Sequence, residues 1–273
     1  MVNARKRFGL WAASMLLPLV ALVLPMRGTA GDFGGLDVPF VPTPPDVVSA
    51  MLRMADAKPS DIVYDLGSGD GRIVVEAIKA FGVKKAVGVD LDPARVADGI
   101  ANAKANNVSD RASFFQGDVF TFDFSEATVV TMYLLPTVNI KLRPRVLSEL
   151  KPGTRVVSHQ FTMGDWTPDA EQTVGYGNQV LSWVVPARVE GTWEWQVGPT
   201  RYRLQLEQKY QKAAGPLTVG DQPATVATAF LKGPAFRLEA TVGGRPTTFE
   251  GTVSGDVISG ISGGQKFEAR RLR

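Results

Sequence analysis

Hydrophobic positions follow three rhythms along this chain, and each predicts a different kind of structure. From Phe8 to Pro25 the residues are almost unbroken apolar. Between about residues 46 and 188, short apolar runs alternate with stretches whose apolar residues recur at helical spacing. From about Val189 onward apolar and polar residues alternate singly, as in Thr192-Trp193-Glu194-Trp195-Gln196 and Phe236-Arg237-Leu238-Glu239-Ala240-Thr241. That is the period of a strand with one buried face.

The middle rhythm predicts strands at 61–66, 85–90, 112–116, 128–133 and 154–160, with helices near 72–81, 93–106 and 136–150. Ahead of them Pro45 suits the first turn of a helix whose apolar face is Val47, Val48, Met51, Leu52 and Met54. Strands alternating with helices imply parallel pairing through right-handed crossovers. The expected fold of 46–188 is therefore α/β, a doubly wound Rossmann-like sheet with its ligand at the carboxyl ends of the strands. Residues 31–45, from the glycines at 31–35 through the prolines of Val38-Pro39-Phe40-Val41-Pro42-Thr43-Pro44-Pro45, read as an extended linker. The last rhythm, over 189–273, predicts an antiparallel meander of seven or eight short strands closing as a small barrel or a sandwich. It carries no catalytic constellation and reads as a stability or docking module.

Chemistry concentrates where the first strand of the sheet ends. Asp61-Ile-Val-Tyr-Asp65-Leu-Gly67-Ser68-Gly69-Asp70-Gly71 places glycines at every second position. Such glycines can take positive φ and admit a ligand against the backbone. A dinucleotide fingerprint spaces them G-x-G-x-x-G to seat a pyrophosphate on a helix N-terminus. Here the third glycine comes one residue early, and Asp65 would repel a pyrophosphate while attracting a cation. The turn suits S-adenosylmethionine. Asp90, ending the second strand 25 residues later, is placed to accept both ribose hydroxyls, and Asp92 is the better cap for the following helix. Asp118, after the third strand, can accept the adenine amino group, with Val119 covering the ring. Ser68 and Leu91 adjoin these positions and complete the candidate cofactor set of Asp65, Gly67, Ser68, Gly69, Gly71, Asp90, Leu91, Asp118 and Val119. Tyr133 is the candidate catalytic residue, lining an acceptor channel or plugging the sheet edge. His159, the only histidine, reads as structural before it reads as a base.

Composition narrows the possibilities. Cysteine is absent, so disulfides, thiolate metal sites and cysteine nucleophiles are excluded, and no metal site is assigned. The net charge of +3 comes from Arg5, Lys6, Arg7 and Arg27; without the first thirty residues it is −1. No basic stripe remains for a nucleic acid, so no nucleic-acid partner is expected. Arg5-Lys6-Arg7 before the apolar run, then Gly28-Thr29-Ala30, reads as a signal peptide over residues 1–30, with a membrane anchor as the competing reading. Either implies an exported, periplasmic or membrane-associated protein, on a side of the membrane that the residues leave open.

Val38 to Pro45, Asp65 to Gly71, Tyr133-Leu-Leu-Pro136 with Leu142-Arg143-Pro144, and Lys151 to His159 resemble the small membrane-associated protein-lysine methyltransferases that act on the c-ring protein of ATP synthase and on the adenine nucleotide translocase. The likeness spans roughly 38–190. It implies a class I methyltransferase fold, S-adenosylmethionine as donor, a lysine acceptor on a protein, including a membrane protein, and an apolar N-terminal segment kept as an anchor. The C-terminal meander departs from it. Two other readings stand beside lysine methylation: methylation of a small molecule, and an exported protein that binds the donor without turnover.

Overall fold

The structure, a computed structural model, describes residues 40–220 and 222–272. The apolar segment at 1–30 and the glycines at 31–35 lie outside the described residues. Among those described, no helix is long and apolar enough to cross a membrane.

The first layer of the fold follows the alternating rhythm closely. Helix α1 (Pro45–Met54) is followed by β1 (Ile62–Leu66), α2 (Arg72–Lys79), β2 (Lys85–Asp90), α3 (Pro93–Ala105), β3 (Ala112–Gln116), β4 (Val129–Met132), α4 (Pro136–Glu149) and β5 (Arg155–His159). Prolines open α1, α3 and α4, where the missing N–H costs no helical bond. Asp92 caps α3 by accepting from Ala94 N at 2.8 Å. Strands β1 to β5 pair in parallel in the order β3-β2-β1-β4-β5. The crossing of order at β1 opens a crevice at the carboxyl edge between β1 and its neighbours.

The sheet does not stop at β5. Strands β6 (Ala170–Val174) and β7 (Asn178–Val184) form an antiparallel hairpin, and β7 pairs antiparallel with β5, giving a mixed seven-stranded sheet. The sequence reading drew no strands there. β6 is an edge strand whose side chains are exposed from Ala170 to Thr173, so it lacks the alternation that a half-buried strand shows. Two apolar layers flank the sheet: Val47, Met51, Leu52, Val74 and Ile78 on one face, Leu142, Val146, Trp166 and Trp183 on the other. Each large side chain so buried contributes roughly 1.5–3 kcal/mol.

The single alternation of the last third becomes a closed barrel, not a sandwich. Its strands are β8 (Gly191–Val197), β9 (Thr200–Lys209), β10 (Lys212–Val219), β11 (Gln222–Lys232), β12 (Ala235–Val242), β13 (Arg245–Ser254), β14 (Val257–Ser262) and β15 (Gln265–Arg271). Each pairs antiparallel with the next, and β15 returns to β8 through Arg270↔Glu194 and Arg271↔Trp193. Inward residues fill the interior: Phe249 meets Trp195, Tyr202 and Phe267 edge-on, at 81°, 74° and 89°.

Candidate functional site

A cleft opens at the carboxyl edge of the parallel strands, where β1, β2 and β4 end. Of the candidate residues, Asp65, Gly67, Ser68, Gly69, Asp90, Leu91, Asp118, Val119 and Tyr133 all line it. Gly71 does not. It is the N-cap of α2 at φ 74°, and a Cβ there would meet the Phe114 ring at 2.5 Å and Gly99 Cα at 3.0 Å. Its glycine serves helix entry and helix packing, not a ligand. The other two glycines carry a similar correction: a Cβ on Gly67 would strike the Leu134 side chain at 2.6 Å, and one on Gly69 would strike Phe40 at 2.4 Å. All three turn through positive φ and are crowded by the protein's own side chains, so the turn needs glycine before any ligand arrives.

Asp65 forms the floor. It pairs in register with Thr131, whose Oγ1 donates to Asp65 Oδ1 at 2.8 Å. The carboxyl is 2% exposed and has no ion-pair partner among the described residues. Burial lifts its pKa to about 7; the Thr131 hydrogen bond opposes that, and nearby Asp90 and Asp70 add to it. A buried carboxylate lacking a cation is what a cationic ligand completes. Asp90 accepts from Gly69 N at 2.8 Å through one oxygen and from Asp92 N at 3.0 Å through the other, so it ties the glycine turn to β2. Asp118 accepts from Phe120 N at 2.8 Å, which tightens the turn that presents Val119. Ser68 Oγ is buried without a hydrogen-bond partner, against Gly88.

Residues 40–43, read as part of a linker, pack over the cleft instead. Phe40, Val41, Pro42 and Thr43 line it. Arg72 donates to Thr43 O at 2.9 Å while pairing with Asp70, and its side chain is two-thirds buried. The Arg95 guanidinium lies 4.7 Å from the centre of the Phe40 ring. Sequence reasoning missed Phe40, Arg72 and Arg95 as parts of the site. The run of prolines was the available signal, because a stiff extended segment suits a strap as well as a spacer.

The opposite wall is aromatic. The Tyr133 ring lies 3.9 Å from His159 and is stacked on Phe161 at 5.9 Å. Tyr133 thus belongs to a wall and does not plug the sheet edge. His159 is 1% exposed; its Nε2 is 3.2 Å from Asn178 Oδ1 and its Nδ1 3.3 Å from Thr43 Oγ1. Because Asn178 Nδ2 donates to Val174 O, its Oδ1 must accept, which puts the histidine proton on Nε2. Burial lowers the pKa of His159, so the ring is neutral and structural, not a base.

Helix α4 holds both sides. Arg145 donates to Val119 O at 2.8 Å and Phe122 O at 2.9 Å on the donor side. On the aromatic side, Asn139 Nδ2 donates to Phe161 O at 3.2 Å and Thr162 O at 3.4 Å, and Arg143 donates to Met163 O at 2.6 Å. The cleft therefore joins an acidic half, suited to an adenosyl sulfonium, to an aromatic half.

Known proteins share this arrangement. The model of the ANTKMT methyltransferase domain matches residues 65–170, from the cleft floor to the first residue of β6. A protein-lysine N-methyltransferase of Saccharolobus islandicus is 53% identical over 141 residues, which are 52% of this chain and 88% of that protein. A Xenopus laevis lysine N-methyltransferase named for the c-ring protein of ATP synthase is 31% identical over 170 residues, covering 60% of this chain and 73% of that protein. Among solved structures, an RNA methyltransferase from Salinibacter ruber in complex with S-adenosyl-L-homocysteine is 50% identical and superposes with a TM-score of 0.53, over 55% of this chain and 96% of that one. The family model ends before the barrel begins at Gly191. With its mixed Rossmann-like sheet and its acidic cleft, the chain belongs to the S-adenosylmethionine-dependent methyltransferases of the ANTKMT-domain family.

Proposed function

We propose that the protein transfers a methyl group from S-adenosylmethionine to the side-chain amine of a lysine in a protein substrate. The observation that carries this reading is the meeting, in one cleft, of a buried carboxylate without a cation and an aromatic wall. The lysine-directed names of two relatives support it.

When bound, the donor supplies a methyl group already activated on a sulfonium. Asp65 and Asp90 hold the cationic and ribose parts, and Asp118 with Val119 holds the adenine. The lysine nitrogen attacks the methyl carbon with its lone pair, the carbon–sulfur bond breaks with its electrons left on sulfur, and the extra ammonium proton passes to water. Such a displacement needs alignment more than a covalent catalyst. The amine must react neutral, and deprotonating a group of pKa ~10.4 at pH 7 costs roughly 4–5 kcal/mol. Tyr133, Phe161 and Phe40 strip water from the amine and lower that cost, and neutral His159 adds no competing charge.

The name of the Salinibacter relative favours a second reading, in which the acceptor is RNA. The net charge of −1 outside the first thirty residues weighs against it. Incubation with methyl-labelled donor and separate protein, RNA and small-molecule fractions decides between them. Label recovered as methyl-lysine is the expected result; label confined to RNA or to a small molecule, or donor binding without transfer, overturns the lysine reading.

A further inference from the structure

The barrel carries one turn that breaks the rule its other turns obey. Six of its seven hairpins enter their two-residue turn through a glycine, at φ 56° to 59°: Gly198, Gly220, Gly233, Gly243, Gly255 and Gly263. The seventh, between β9 and β10, places Tyr210 in that slot at φ 56°. A bulky residue in the left-handed region is disfavoured, and such exceptions persist where the side chain is needed.

The Tyr210 hairpin packs against the methyltransferase domain. Its tyrosine hydroxyl donates to Asp165 Oδ1 at 2.7 Å, and the ring stacks on buried Trp166 at 5.8 Å. Lys209 Nζ is 2.8 Å from Asp165 Oδ2, and Gln211 Nε2 donates to Thr167 O at 2.9 Å. All of these contacts fall on the segment that leaves β5 and reaches β6. That segment starts with a second exception. Gln160 sits at φ 69° while Phe161 N donates back to His159 O at 2.8 Å, the rarer and strained form of a γ-turn. The strained turn aims Phe161 into the cleft beside Tyr133. A strained turn keeps its shape only when its surroundings over-determine it. Asn139 and Arg143 hold the segment from α4, and the barrel tip holds it from the other side.

We infer that Tyr210 is a positioning residue for methyl transfer: through Asp165 and Trp166, the barrel holds the segment at 160–169 so that Phe161 completes the acceptor wall. The barrel is then a working part of the acceptor site, although no barrel residue touches the acceptor. The donor half of the cleft, tied by Asp90 and Arg145, does not depend on it.

The test uses the full chain with Tyr210→Gly and Tyr210→Phe. Glycine is at home at φ 56°, so the first change relaxes the turn while removing the clamp. Methylation of a panel of lysine-containing peptides gives acceptor kinetics, calorimetry gives the S-adenosylmethionine affinity, and hydrogen exchange reads the amides of 160–163. Tyr210→Gly is expected to raise the acceptor KM on the order of tenfold, as a wall formed only a tenth of the time does, with kcat within about threefold and donor affinity unchanged. Tyr210→Phe keeps the stack on Trp166 and is expected to restore most of the loss. Equal losses in donor affinity, or unchanged acceptor kinetics, overturn the inference. The kinetic arm rests on the lysine reading. If the wild type methylates no peptide, that reading fails, and exchange decides the inference: faster exchange at 160–163 in Tyr210→Gly upholds it and unchanged exchange rejects it.

Discussion

The donor half and the acceptor half of the cleft are built in opposite ways. The donor half is local: Asp65, the glycine turn and Asp90 fall within 26 consecutive residues, and Gly69 N closes on Asp90 directly. The acceptor half gathers Phe40, Tyr133, Phe161 and, behind them, Tyr210 from positions 170 residues apart. The difference teaches that cofactor recognition rests on backbone geometry that a few residues fix alone, whereas the acceptor wall rests on packing between remote elements. A change in either half should leave the other half's measurement nearly untouched.

The strongest way to break that separation is Gly71→Ala. A Cβ there meets Phe114 and Gly99 Cα in a left-handed backbone, so the substitution should cost about 2–5 kcal/mol of stability by urea unfolding. Both halves would fall together, because the lesion lies in packing beneath them. Next comes Asp65→Asn, which removes the charge that a cation needs. Calorimetry should show donor binding weakened on the order of ten- to a hundredfold, with the fold intact and Thr131 still able to donate to the amide oxygen.

The same residue sets a pH dependence of known sign. Below about pH 7 most of the protein holds Asp65 protonated, and a cation binds the ionised form. The apparent dissociation constant for the donor should therefore fall about tenfold per unit as pH rises towards 7, then level off. Stability of the ligand-free protein runs the other way. The folded state keeps a proton that the unfolded chain releases near 3.8, so this group's contribution declines as pH rises from about 4 to 7. Both slopes should vanish in Asp65→Asn; a donor affinity flat between pH 5 and 7 in the wild type contradicts the picture.

Smaller effects sharpen the acceptor side. Phe161→Ala should raise the acceptor KM by about tenfold in steady-state kinetics, with donor affinity within a factor of two. The smallest should come from Asp165→Asn. Lys209 and Tyr210, with Arg143, hold the Asp165 carboxylate well below its usual range, yet the group is half exposed and screened. Its loss should change the acceptor KM only a few-fold and should matter less at high salt.

What the sequence made legible follows the same division. The glycine spacing, the acids at 65, 90 and 118 and the proline-led helices are short-range signals, and each lies at or within two residues of its expected place. The barrel strands were legible because their inner and outer faces differ at every step, but closure was not, since pairing of β15 with β8 joins residues about 77 apart. β6 was hidden by its polar, exposed face. Phe161 and Phe40 were hidden because an aromatic in a loop or strap reveals its target only after folding. Lys209-Tyr210-Gln211-Lys212 hid a tight turn because it holds none of the residues that usually mark one.

Closure of the barrel at the β15 to β8 seam also sets an order of events. Everything that shapes the donor half is present once the chain has been made as far as Val184, whereas the barrel cannot shut until Arg271 has joined its register. Antiparallel closure across so many residues is slow to form. On refolding, therefore, the protein should regain its cofactor before it regains its acceptor. For an interval each molecule is charged with a methyl group it has no wall to deliver against.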